Sequence, residues 1–114
     1  MNEAGYQKKI IDGIKKDGGE AFTGSFPTGQ ADIVGMINTK YIAIEVKTPE
    51  NYKRVMRCVH EEDGLYVIDD NSSCLKEHEF LQITKLNNTR KRGGLALLAH
   101  NYEQVKDYVS ENIR

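Results

Sequence analysis

The sequence predicts an α/β domain, and three observations predict it. Apolar residues recur at helical spacing near the start, two β-branched runs are parted only by Asn38 and Thr39, and the short apolar run LALLA precedes a second helical period. A chain of 114 residues fits one domain, 1–114, and leaves little room for another. With 39% hydrophobic and 29% charged residues, neither disorder nor a fibrous repeat is favoured.

Tyr6, Ile10, Ile11 and Ile14 set the period of a first helix over about Glu3 to Lys16, and Gly18 and Gly19 stop it. Its Lys8, Lys9, Lys15 and Lys16 read as a solvated face. A β-prone stretch spans about Ala21 to Phe26, and Pro27-Thr28-Gly29 reads as a loop. Residues Gln30 to Ile37 and Lys40 to Thr48 then form a hairpin.

If Asn38 and Thr39 are its two loop residues, Ile37 faces Lys40 and, counting back, Asp32 faces Glu45. Alternation puts Glu45 and Lys47 on one face with Asp32 alongside, and Ile42, Ile44 and Val46 on the other, greasy face. A slip of one residue would separate the acids.

From Lys53 to Asp69 the alternation in VMRCVH, the Asp63-Gly64 turn and LYVI suggest a second hairpin, with a short helix at Tyr52 to Val59 as the alternative. Ser72 or Ser73 caps a helix running through Leu75, Leu81 and Leu86 to Arg92, closed by Gly93 and Gly94. LALLA is a buried strand. Asn101, with Gln104 three residues on, opens a last helix with the stripe Val105, Tyr108, Val109 and Ile113. Tyr102 and Tyr108 read as core, and His100 as a packed or solvated imidazole.

Sixteen basic and seventeen acidic side chains give a net charge of −1, so contact with nucleic acid must use local patches. The one dense basic segment is Lys85, Arg90, Lys91 and Arg92, which suits DNA phosphates and, equally, a helix C-terminus. YIAI and LALLA are too short to span a bilayer, and the polar first residues predict a cytosolic chain with no membrane partner. In that compartment the two cysteines, Cys58 and Cys74, are expected to be reduced. Cys58 with His60 and Cys74 with His78 have permissible spacing for a structural zinc, though buried hydrophobic cysteines are the commoner reading. Walker, GxSxG and HExxH motifs do not occur.

Opposed carboxylates destabilise a strand pair unless a cation lies between them, so Asp32 and Glu45 are candidate ligands of a divalent metal. Lys47 then stands where it can orient water or hold a phosphate oxygen. The plain alternative is a salt-bridge cluster on a solvated sheet face.

GQADIVG followed by YIAIEVK, with Glu3 on the helix before them, resembles the PD-(D/E)XK nucleases, and among them the virus-type replication-repair (VRR-NUC) family of single-domain phage type. The order of motifs runs from Glu3 to about Val109. The resemblance implies a restriction-endonuclease-like fold, a mixed central sheet flanked by helices, that cuts DNA with Mg²⁺ or Mn²⁺. It implies Asp32, Glu45 and the Val46 main-chain carbonyl as metal ligands, Lys47 as the group positioning water, Gln82 in QITKL near the scissile phosphate, and Glu3 supporting the metal site. A homodimer acting on branched DNA such as four-way junctions is also implied. Ala31 stands where the motif has Pro, and the stretch of about 50–77 is an insertion. Two other classes stay open: a binding module of the same fold that does not cut, and a zinc-stapled interaction domain.

Overall fold

Why helix one begins and ends where it does is local chemistry. In a computed structural model describing residues 1–24, 31–69 and 73–112, α1 (Glu3–Lys16) is capped by Asn2, whose Oδ1 accepts from the Gly5 N–H at 3.0 Å. It ends as Gly18 enters the left-handed region at φ 92° and the Gly19 N–H returns to the Ile14 carbonyl. Ile10 and Ile14 are buried against the sheet.

The central sheet has the order β1-β2-β3-β6, built from β1 (Glu20–Thr23), β2 (Ile33–Ile37), β3 (Lys40–Val46) and β6 (Leu95–Ala99). The first three strands are antiparallel neighbours, and β6 joins β3 in parallel, so the sheet is mixed. Asn38 and Thr39 both take positive φ, 49° and 70°, as a two-residue hairpin turn requires. Ile37 therefore pairs with Lys40 and Ile33 with Ile44, the expected register. β1 covers the start of the stretch predicted and ends before Gly24, while Ser25, Phe26, Pro27-Thr28-Gly29 and Gln30 lie outside the described residues. Gly35 is needed where β1 crosses β2, because a side chain there would collide with the Glu20 carbonyl.

Hairpin and helix, the two alternatives for Lys53 to Asp69 and Tyr52 to Val59, both occur in succession, the helix starting earlier and ending sooner than expected. Thr48 and Pro49 are cap and first residue of α2 (Pro49–Met56), and the Asn51 N–H donates to Thr48 Oγ1 at 3.3 Å. The hairpin β4 (Val59–Glu62) and β5 (Leu65–Ile68) follows, turning on Asp63 and Gly64 at φ 53° and 79°. It forms its own two-stranded sheet. α3 (Glu77–Lys91) starts later than a serine cap predicted: Lys76 is its N-cap, and its N–H donates to Glu79 Oε1 at 2.7 Å. Ser73 precedes the helix, and Ser72 is outside the described residues. α4 (Tyr102–Asn112) opens as Asn101 Oδ1 accepts from the Gln104 N–H at 2.9 Å, while Gln104 Oε1 accepts from His100 rather than from Asn101.

Both faces of the sheet carry an apolar cluster, which corrects the expectation of one greasy and one chemical face. Ile33, Ile42, Ile44, Val46, Leu97 and Val105 belong to the core shared with α1 and α4. On the opposite face Ala43, Ala96 and Leu98 pack with Val55, Tyr66, Ile83 and Leu86. The outer edge of β6 is closed by side chains. The Ala96 and Leu98 N–H groups donate to the hydroxyls of Tyr108 (3.1 Å) and Tyr66 (3.0 Å), and Arg90 Nε donates to the Ala96 carbonyl at 2.7 Å. Among the described residues no helix is long and apolar enough to cross a membrane.

Candidate active site

Beyond the end of β2, Asp32 extends the hairpin ladder with its side chain. Asp32 Oδ2 accepts from the Val46 N–H at 2.9 Å, and the Asp32 carbonyl accepts from the Gly24 N–H at 2.8 Å and from Gln7 Nε2 at 2.7 Å. The same count that pairs Ile33 with Ile44 sets Asp32 opposite Glu45. Because N–H and C=O of one strand residue point to the same side, the Val46 carbonyl opens toward Asp32 as its N–H does.

Glu45 and Lys47 are only 6% and 5% exposed, so the solvated salt-bridge cluster is not what the chain forms. Burial first, then the charge of Asp32 and a hydrogen bond with it, push the Glu45 carboxyl up to about 8, while Lys47 pulls it back. Gln82 Nε2 donates to Glu45 Oε2 at 2.9 Å, which brings the predicted glutamine to the predicted acid across the insertion. Its other amide atom, Oε1, is buried without a hydrogen-bond partner. Partial desolvation and then the Asp32 charge raise Glu3, against opposing pulls from Lys47 and His78, so the α1 acid lies within electrostatic reach of the cluster.

Lys47 has a partner that sequence reasoning missed. Its Nζ donates to Glu79 Oε2 at 3.0 Å, and Arg54 grips the same carboxylate with two bonds of 2.8 Å. With the Lys76 N–H added, Glu79 accepts four hydrogen bonds. Its burial alone would raise it, but the bonds from Arg54, Lys76 and Lys47 outweigh that and hold it well below the usual carboxylate range. Arg54 also donates to the Cys74 carbonyl at 2.6 Å. A signal was present: Glu79 and Gln82, three apart, share one helix face and meet Glu45 and Lys47, two apart on one strand face. Gln7 on α1 had no such marker.

The residues present fit a hard divalent cation. Two opposed carboxylates, one main-chain carbonyl and an orphaned amide oxygen are oxygen donors, and Mg²⁺ is usually held by one or two carboxylates with water and phosphate completing its shell. Among the described residues no group of three or more His, Cys, Asp or Glu is arranged to hold a metal, so such an ion would depend on substrate and solvent for its other ligands.

The remaining candidates separate. Lys85 and Arg92 line a cavity of about 220 Å³ that has Glu45 in its wall, and Lys91 is exposed. Arg90 is a correction: its side chain is 7% exposed, lies over Tyr66 and Tyr108, and bonds Glu61 at 2.8 Å, so it serves the sheet edge and not a basic surface. Cys58 and Cys74 are joined as a disulfide with Cα atoms 6.3 Å apart, against the expectation that both are reduced, because the end of α2 and the approach to α3 meet at bridging distance. His60 bonds Asp69 (2.7 Å) and Glu62 (3.2 Å), and His78 is exposed on the first turn of α3, so the four residues do not assemble as one site.

Compared with protein-family models, curated proteins and solved structures, the chain shows no match. The functional reading rests on the geometry around Asp32 and Glu45.

Proposed function

We propose that this protein is a metal-dependent endonuclease that hydrolyses DNA phosphodiester bonds on a restriction-endonuclease-like fold of the VRR-NUC type. The observation that carries it is the pair Asp32 and Glu45, set opposite each other beside Lys47, with Glu45 buried and raised to about 8. A fold does not bury one carboxylate beside a second, half-buried one without cost, and a cation between them removes the cost.

In this reading Asp32, Glu45 and the Val46 carbonyl hold Mg²⁺ or Mn²⁺, which when bound supplies a Lewis acid for the phosphate and lowers the pKa of water. Lys47, fixed by Glu79, steadies the attacking water or a phosphate oxygen. Gln82 orients Glu45 through its amide N–H, and its unpaired Oε1 accepts a proton of that water. Glu3 adds negative charge at the margin. A two-fold dimer would bring two such sites to two strands, as branched DNA requires.

The test is cleavage of duplex, flap and four-way-junction DNA in Mg²⁺, Mn²⁺ or EDTA. Wild type is expected to cut only with metal, Glu45→Ala to lose cutting and metal affinity together, and Lys47→Ala to slow cutting with metal affinity retained. Equal metal affinity in wild type and Glu45→Ala would remove the ligand assignment. The tie between Lys47 and Glu79 favours a second reading, a binding module in which the lysine is structural; DNA binding without cleavage in Mn²⁺ would select it.

A further inference from the structure

The face of the sheet that carries Glu45 is only partly roofed. In register, Asp32 and Glu45 form one row; Phe22, Val34 and Ala43 form the next; Glu20, Met36 and Tyr41 form the third. Alternation puts all of them on one face. α3 packs over β3 and β6 there, whereas Phe22, Met36 and Tyr41 are 59%, 42% and 45% exposed. These are three large apolar side chains on three adjacent strands, leading away from the candidate active site.

Between this strip and α3 lies the 220 Å³ cavity. Glu45 and Ala43 line it at one end and Tyr41 at the other, four residues along β3 or about 14 Å. Its α3 wall carries Lys85, Asn88 and Arg92. An aromatic ring, two cations and an amide along a slot that begins at the carboxylates match what a nucleotide presents: a π-face, a phosphate and hydrogen-bonding edges. Glu20, the other carboxylate on the strip, stands on β1, two strands from Tyr41.

We infer that this slot takes an unpaired nucleotide next to the scissile phosphate, with its base on Tyr41 and its phosphate between Lys85 and Arg92, and that single-stranded DNA segments are therefore the preferred substrate. The inference rests on the nuclease reading for the word substrate, but the binding site stands or falls separately. Phe22 and Met36 extend the platform for the bases that follow.

The test is binding of a single-stranded oligodeoxynucleotide carrying 2-aminopurine, and of its blunt duplex, in EDTA so that no cutting occurs. Wild type is expected to prefer the single strand and to quench 2-aminopurine. Tyr41→Ala should bind about tenfold more weakly and lose the quench, while Tyr41→Phe keeps both, and Arg92→Ala weakens binding with the quench intact. Tyr41 is exposed on the sheet, and circular dichroism with Tyr41→Phe separates lost stacking from a lost fold. Duplex bound as well as single strand, or Tyr41→Ala binding like wild type, overturns the inference. Cleavage in Mn²⁺ is then scored on the same variants. Tyr41-dependent binding without cleavage keeps the slot and rejects the nuclease, whereas cleavage of duplex indifferent to Tyr41 does the reverse.

Discussion

Ile44 and Glu45 are neighbours on β3, and both are buried, yet the two sides of the strand are stabilised by opposite means. Ile42, Ile44 and Val46 face α1 and α4, where close packing of apolar groups needs no partner of particular chemistry. Glu45 and Lys47 face α3, where each charge has a named partner, Gln82 for one and Glu79 for the other. Non-directional packing tolerates small errors, and a buried charge network fails when one member is removed. Replacing a buried ion pair with apolar groups is often neutral or stabilising, so the charges kept on this side of β3 are what make it the candidate site.

The most direct way to break the comparison is to take away the centre of the network. Glu79→Ala leaves Lys47 and Arg54 without their shared carboxylate in a buried setting, and the expected loss is about 3–5 kcal/mol by urea unfolding. A loss under about 1 kcal/mol, the size expected of an exposed ion pair, would show that Glu79 is a surface group in solution. On the packed side, Ile44→Ala should cost about 2–5 kcal/mol, and unlike Glu79→Ala the cost should be insensitive to salt and pH. A strong pH dependence there would merge the two faces into one system.

How much of this the sequence disclosed follows from what is local. The turn at Asn38 and Thr39 fixes the register of a hairpin, and arithmetic on that turn is enough to set Asp32 against Glu45. The Asp63-Gly64 turn was legible for the same reason. Glu79 and Arg54 were not, because Glu79 meets Lys47 across 32 residues of chain and Arg54 meets Glu79 across 25, and the helix face that Glu79 shares with Gln82 gains its meaning only once α3 lies over β3. Arg90 looked like its basic neighbours until Tyr66 and Tyr108 closed over it. α2 was half hidden because VMRCVH alternates like a strand, although Thr48-Pro49 is a helix start. The pairing of Cys58 with Cys74 depends on where two connecting segments meet, which spacing alone does not reveal.

The subtlest difference between the faces is their response to pH, and it comes from two carboxylates shifted in opposite senses. Glu45 holds its proton up to about 8 in the folded chain but only to its ordinary value of 4.5 when unfolded. Between those values the folded state binds the extra proton, so the metal-free protein should lose stability as pH rises from about 4.5 to 8. Glu79 is lowered on folding, so its contribution is present above the ordinary carboxylate value and fades as pH falls below it. Together they place the stability maximum of these two groups near the ordinary carboxylate value. Glu45→Gln should flatten the fall above it, and Mn²⁺ should do the same by holding Glu45 ionised in the folded state, stabilising more at pH 8 than at pH 5. Thermal unfolding across pH, with and without Mn²⁺, reads all three. A slope that Glu45→Gln leaves unchanged would mean that Glu45 ionises freely and that the pair with Asp32 is already relieved by solvent.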